Sequence, residues 1–304
     1  MQIYLPIAEI SAHVLALIAL GGITGIIAGM FGIGGGFLLT PMLIFMGIPP
    51  AVAVATSANQ IIASSFSGFL QHWRHRRVDL AMGNYLVAGG AIGASLGIWL
   101  FSALNRAGQI DLIITILYVT ILCIVALIMA REALAYFHDK EKQEVAQDEI
   151  LFPLLDRLPW RLNFSRSNVT HSLLLPIALG ITTGLLIALM GIGGGFLMLP
   201  LMLYVLRMPP SVIVGTSLYH MMFTTALVTL LHAVTTQTVD VVLAALLLLG
   251  SVAGAQWGAR LNHRLPIHYL RGLLALILFC VALRLAYGLF ITPPEIYTLT
   301  VLPS

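Results

Sequence analysis

One stretch of this chain occurs twice. Thr24-Gly25 followed by Gly32-Ile33-Gly34-Gly35-Gly36-Phe37-Leu38 returns as Thr183-Gly184 followed by Gly191-Ile192-Gly193-Gly194-Gly195-Phe196-Leu197, 159 residues later. The match continues in order. Pro41 pairs with Pro200 and, after one inserted residue, Pro49-Pro50 pairs with Pro209-Pro210 and Thr56-Ser57 with Thr216-Ser217. His72 then pairs with His232, Val78-Asp79 with Val239-Asp240, and Gly93 and Gly97 with Gly254 and Gly258. Two copies of one unit therefore make up most of the chain, and any fold must be built from both.

Composition says where those copies reside. Of 304 residues 59% are hydrophobic, and only 27 are charged (15 basic, 12 acidic), or 9%. An ordinary soluble domain carries roughly 25%. So few charges cannot cover a soluble surface, so the chain reads as an all-α polytopic membrane protein. Thirteen of the 27 charges lie in 131–172. The remaining sequence holds nine arginines and no lysine. The mild basic excess suits cytoplasmic loops and not nucleic acid. Cys123 and Cys280 sit in apolar runs and read as buried small apolar residues.

Each half has the same parts. An apolar helix, at about 10–30 and 173–190, ends in the glycine cluster. Next comes an 11-residue apolar stretch, 37–47 or 196–206, too short for the ~20 residues that a straight spanning helix needs. Three longer candidates follow: 50–73, 80–102 and 109–130, then 211–233, 240–260 and 270–291. The expected organisation is a first repeat at 1–130, a charged linker at 131–172 and a second repeat at 173–304. HDKEKQEVAQDE in the linker reads as solvated. The later part, from Leu151 to Phe164 with Arg157 and Arg161, suits either a segment lying on the membrane surface or a plain loop.

Arginine placement bears on orientation, because basic residues in short loops favour the cytoplasm. If the first helix and the short stretch form a hairpin that leaves on its side of entry, each half crosses three more times and the second half is inverted. Arg74, Arg76, Arg77, Arg207, Arg260, Arg264 and Arg271 then fall inside, and Arg106 and Arg284 outside. A parallel arrangement splits them four inside to five outside. The expected fold is therefore two inverted-topology repeats, each a glycine-tipped helical hairpin plus three transmembrane helices, with the linker in the cytoplasm.

Four glycines in five positions permit backbone angles closed to other residues and leave amide N–H groups uncovered. Irregular backbone at membrane depth is tolerated only inside protein or beside a water-filled cavity. The helix that follows turns its positive end toward that cavity, which suits an anion. The alternative is close helix packing through small residues. Thr56-Ser57 and Thr216-Ser217 lie about 9 Å past the Pro-Pro pair that opens each helix. Their hydroxyls could donate to an anion or bond back to their own helices. Asn59-Gln60 and the matching Tyr219-His220 extend the polar face, and His220 either handles a proton or sits neutral and satisfied. His72 and His232 end their helices, where an interfacial role suffices. Asp79, Asp111 and Asp240 stand at helix starts, favouring the positive end. No acidic residue falls mid-span, which argues against a cation pump built on buried carboxylates. No nucleophile–histidine–acid set, metal-ligand spacing or nucleotide loop is present, so an enzyme, a cofactor and a metal site are not expected.

TGIIAGMFGIGGGFLLTP, PPAVAVATS and a basic loop ending in VD, with TGLLIALMGIGGGFLMLP and PPSVIVGTS in the second half, resemble the sulfite exporter TauE/SafE family of membrane permeases. The resemblance covers roughly 20–130 and 180–285. It implies a secondary transporter, an exporter of small sulfur-containing oxyanions such as sulfite or organosulfonates, in the bacterial inner membrane, with alternating access between repeats. Carried onto this chain, it points to Gly32, Gly34, Gly35, Gly36, Thr56 and Ser57. In the second half it points to Gly191, Gly193, Gly194, Gly195, Thr216 and Ser217. The expected partners are a small anionic substrate and the lipid bilayer, without nucleic acid; a homo-oligomer is left open. The rival readings are a permease for another small anion, and a sensor or assembly protein acting through the linker.

Overall fold

The structure is a computed structural model that describes residues 2–31, 36–138, 161–164, 166–167, 169–193, 195–262 and 267–290. The described residues contain two short hairpins and ten α-helices. Strands β1 (Gln2–Leu5) and β2 (Ile10–His13) precede α1 (Val14–Phe31), α2 (Gly36–Phe45), α3 (Pro50–Arg74), α4 (Leu80–Arg106) and α5 (Ile110–His138). Strands β3 (Arg161–Phe164) and β4 (Val169–Ser172) precede α6 (Leu174–Met190), α7 (Gly195–Tyr204), α8 (Pro210–Leu231), α9 (Val241–Asn262) and α10 (Ile267–Phe290). Five of the helices are long and apolar enough to cross a membrane: α4, α5 and α8 to α10. The fold is all-α and polytopic, as expected. Helix α3 is the polar one, with Thr56, Ser57, Asn59, Gln60, Ser64, Ser65, Ser67 and Gln71 along its length.

The boundaries differ from expectation at three places. The first helix does not start near residue 10; β1 and β2 pair antiparallel there, Gln2 opposite His13 and Leu5 opposite Ile10. The linker's last part contains strand pairing: Arg161–Phe164 runs antiparallel to Val169–Ser172, Arg161 opposite Ser172 and Phe164 opposite Val169. It stands before α6 as β1–β2 stands before α1, so the repeated unit opens with a hairpin. Helix α5 runs on to His138, past the expected end at 130. Residues 139–160, which include the rest of the HDKEKQEVAQDE stretch and Leu151 to Trp160, and Arg264 lie outside the described residues.

Proline geometry sets the starts of α3 and α8. Pro50 and Pro210 occupy the first helical position, where their missing N–H has no partner to lose. The short helices α2 and α7 have ten residues each, about 15 Å, half of a bilayer core. A local irregularity marks the second half. Counterparts lie 160 residues apart up to His72 and His232 but 161 apart at Asp79 and Asp240. The extra residue is absorbed as a π-helical turn, His232–Thr236, closed by Gln237 with φ 51°. One inserted residue is what a π-turn accommodates. Its counterpart, Arg76, also has a positive φ, 55°.

The halves exchange helices. α1 packs along α9, and α6 along α4. Gly21, Gly25 and Gly29 of α1 face the carbonyls of Leu247, Ser251 and Ala255 in rising order, so α1 and α9 run parallel. Gly250, Gly254 and Gly258 answer against Ile18, Gly22 and Ile26. Gly89 and Gly93 of α4 face Ile177 and Ile181, and Gly180 and Gly184 face Leu86 and Gly90, so α4 and α6 are also parallel. Glycine at every fourth position brings the backbones into contact, which drives association where lipid removes the hydrophobic incentive. Three cores result. Leu5, Leu17, Leu39, Leu43 and Val52 enclose Leu243 and Leu247 of α9. Leu175, Met198, Met202 and Ile213 enclose Met82 and Leu86 of α4. A third joins α5 and α10 to Phe37, Phe101 and Met190.

The outward faces are apolar. Trp99, Leu127, Leu249, Trp257, Leu276 and Leu283 are exposed, as expected where the solvent is hydrocarbon. Cys123 and Cys280 belong to this outer surface and are free, not buried.

Candidate functional site

Gly36 at the start of α2 and Gly191 at the end of α6 come together. Gly191 ends α6 in the left-handed region (φ 63°), its N–H donating to Ile187 O at 2.8 Å. A Cβ on Gly36, which starts α2, would fall 2.8 Å from the Gly191 carbonyl oxygen and 2.3 Å from Ile61 Cδ1. A Cβ on Gly193 would fall 2.8 Å from Ile61 Cγ2 and 3.0 Å from Met221 Cε. Ile61 and Met221 are counterparts, each one turn past a Thr-Ser pair, and both are fully buried. They cover the turns from α3 and α8. Gly36 thus starts α2 at this junction, and Gly195 starts α7 two residues past Gly193. Gly32, Gly34, Gly35 and Gly194 lie outside the described residues.

Ser57 links the turns to the first half. Its Oγ lies 2.7 Å from Thr40 Oγ1, donates to Val54 O at 3.0 Å and reaches Gly191 O at 3.5 Å. A Cβ on Gly191 would fall 2.7 Å from the same Oγ. Tyr118 of α5, fully buried, donates its hydroxyl to Met190 O, the last carbonyl before the second turn. Tyr118→Phe should leave that carbonyl buried and unpaired, at a cost of about 1–3 kcal/mol. Thermal unfolding of the purified variant checks this.

The second half is not a copy of this arrangement. Ser217 donates to Val214 O at 2.9 Å. Leu199 replaces Thr40 at the corresponding position. Thr216 donates to Val212 O at 2.7 Å and accepts from Asp79 N–H at 3.0 Å; Thr56 accepts from Asp240 N–H at 3.1 Å. In this state, then, the threonine hydroxyls already have partners, and both serines bond back to their own helices.

The remaining expected residues divide between two places. Asn59 Nδ2 donates to Thr56 O at 3.4 Å on the same helix. Gln60 is 2% exposed, and its Oε1 has no hydrogen-bond partner among the described residues. His220, the counterpart of Gln60, is satisfied at both ring nitrogens: Nε2 lies 3.1 Å from Thr183 Oγ1 and Nδ1 3.2 Å from Thr224 Oγ1. It packs on Gly90 of α4. Tyr219 faces α4 as well, donating to Asn84 Oδ1 at 2.8 Å, with its ring tilted against Phe69 and edge-on to Phe223. Among the described residues the partners of Tyr219 and His220 are thus Asn84, Phe69, Phe223, Thr183 and Thr224, and not the junction of Gly36 and Gly191. His232 is not interfacial. It is fully buried, edge-on to Phe101 at 4.6 Å, with Nε2 3.0 Å from Ala188 O.

A profile of the family described as sulfite exporter TauE/SafE matches residues 17–285. The chain belongs to that family. This TauE/SafE chain is 30% identical over 273 residues to a probable membrane transporter protein, YjnA, of Bacillus subtilis (strain 168), covering 89% of this chain and 98% of the relative. A probable membrane transporter protein of Xylella fastidiosa (strain 9a5c) is 27% identical over 274 residues, 86% of this chain and 91% of the relative. Sulfite exporter TauE/SafE family protein 3 of Arabidopsis thaliana is 35% identical over 98 residues, 32% of this chain and 21% of the relative. No solved structure matches significantly. The TauE/SafE chain is thus a multi-pass integral membrane protein of a transporter family.

Thr40 and Tyr118 were not among the residues expected at the site. Each lies inside a mostly apolar run, and neither has a polar counterpart in the other half that would have drawn notice.

Proposed function

We propose that the protein is a secondary transporter exporting a small sulfur-containing oxyanion, bound where the two glycine turns meet and exposed to each face in turn. The observation that carries this reading is the approach of Gly36 to Gly191, with the Ser57 hydroxyl beside Gly191 and linked to the Gly36 carbonyl through Thr40. In this reading the N-termini of α2 and α7, amides of the glycine clusters and a hydroxyl together make a donor-rich, uncharged setting for an oxyanion. The substrate class rests on the family's description and the match to this chain. In the bound state the turns and the Thr56-Ser57 and Thr216-Ser217 pairs supply donors, Asn59, Gln60, Tyr219 and His220 line the approach, and Ile61 and Met221 withdraw to admit the anion.

The halves are inverted in this proposal. Supporting it, α1 runs parallel to α9 and α4 to α6, while short connections reverse the chain between α1, α2, α3 and α4. Helices α1 and α4 are then antiparallel, which makes α6 antiparallel to its counterpart α1. The seven-to-two division of arginines agrees.

Flux of sulfite, sulfate, thiosulfate and taurine into proteoliposomes tests the reading. Saturable flux of a sulfur oxyanion is expected, reduced about 10- to 100-fold in Ser57→Ala, the range of one hydrogen bond to a charged group. Absence of saturable flux, or unchanged flux in a folded Ser57→Ala protein, would refute it.

A further inference from the structure

Two aspartates join the halves in a way that helix capping alone does not require. Asp79 opens α4 and Asp240 opens α9, and they are 2% and 0% exposed. One carboxylate oxygen of each caps its own helix: Asp79 Oδ1 accepts from Met82 N–H at 3.1 Å, Asp240 Oδ1 from Leu243 N–H at 3.0 Å. The other oxygen reaches the opposite half's hairpin. Asp79 Oδ2 accepts from Ser167 N–H at 3.1 Å and Ser167 Oγ at 2.5 Å; Asp240 Oδ2 accepts from Ile7 N–H at 3.2 Å. The backbone N–H of each then donates to the opposite half's threonine, Asp79 to Thr216 and Asp240 to Thr56. Apart from the caps, every one of these bonds crosses between repeats.

Each clasp closes one helix seam. Next to Thr56, Ala53 is buried with Leu243 and Leu247 of α9. Its counterpart next to Thr216, Ile213, is buried with Met82 and Leu86 of α4. We propose that the two clasps are the transporter's gates, one at each membrane face, released in alternation. Parting Thr56 and Ile7 from Asp240 frees α3 from α9 while the Asp79 clasp stays shut, and the reverse opens the other face. This rests on the inverted arrangement proposed above, which sets the N-termini of α4 and α9 on opposite sides. A clasp of two or three hydrogen bonds, each of modest net strength, holds a face closed yet yields when bound substrate favours the other state.

The test reads accessibility. In a Cys123→Ser, Cys280→Ser background, the reporters Ala53→Cys and Ile213→Cys are exposed separately to a membrane-impermeant maleimide on each side of sealed vesicles. Thr56→Val keeps the side-chain shape and removes the acceptor. It is expected to raise labelling at position 53 about tenfold or more, from one side only, with position 213 unchanged. Thr216→Val is expected to do the reverse, from the opposite side. Thr56→Ser, which retains the hydroxyl, should label like the parent. If Thr56→Val does not fold, Asp240→Asn, which weakens the Ile7 contact, is read the same way with a smaller rise. Rates that rise together, or do not rise, overturn the gates. Both reporters reacting from one side overturn the gates and the inverted arrangement together. Labelling requires no substrate, so a failed flux assay is a separate result.

Discussion

A leucine at Gly93 should leave no folded protein. The ideal Cβ there would stand 2.1 Å from Ile181 O and 2.8 Å from its carbonyl carbon, both backbone atoms of a neighbouring helix. Backbone cannot rotate aside as a side chain can, so α4 and α6 must part. Gly254→Leu repeats the experiment at the other seam, with Gly22 O at 2.1 Å. Overpacking a well-fitted core typically costs about 1–3 kcal/mol, and more where nothing can yield. A loss above ~3 kcal/mol is expected at both sites, seen as absence of a monodisperse peak in detergent and a collapsed Tm. Gly288, in α10, is the control. Nothing lies within 4 Å of its Cβ position. Gly288→Ala should therefore be unchanged or slightly more stable, because alanine favours the helix.

Gly191→Ala should have the largest effect on transport of any single methyl group. Two costs coincide. At φ 63° an L side chain is strained by roughly 1 kcal/mol. The added Cβ would also stand 2.4 Å from Val54 O and 2.7 Å from Ser57 Oγ. The turn must back away from α3 and carry its amides out of register with Ser57. Flux should fall more than about 100-fold in protein that still inserts, if anion binding depends on that register within a few tenths of an ångström. Gly47 separates the two costs. Its φ is 86°, but nothing lies within 4 Å of its Cβ position. Gly47→Ala should lose about 1 kcal/mol of stability and keep its flux. Equal loss of flux in the two variants would assign the effect to backbone strain alone and remove the steric argument for the site.

Apolar length made the helices readable in advance. Runs such as 109–130 and 80–102 have no competing interpretation. The glycine turns were readable because four glycines in five positions interrupt such runs twice. The hairpins were not: four-residue strands such as Gln2–Leu5 and Arg161–Phe164 are too short to establish an alternating pattern. The exchange of α1 and α6 between halves was hidden for a different reason. Glycines every fourth residue announce a close neighbour without naming it. The junction was half legible. Ser57 lies in the repeated signature, but Thr40 and Tyr118 lie in mostly apolar helices outside it, and only packing reveals them. His220 and His232 could not be judged from type and depth. Part of what buries their rings, Thr183 and the Ala188 carbonyl, lies 37 and 44 residues away in sequence.

The exchanged pairing also sets a timetable for biosynthesis. Helix α1 leaves the ribosome early, yet the backbone that fills its glycine face belongs to α9, more than 200 residues downstream. At 5–20 residues per second the wait is roughly 10–45 s. Throughout it, α1 and then α4 stand in the bilayer with an open row of glycines, and α4 is relieved only when α6 arrives. The nascent chain must therefore be held apart from other small-residue helices until its second half has been inserted.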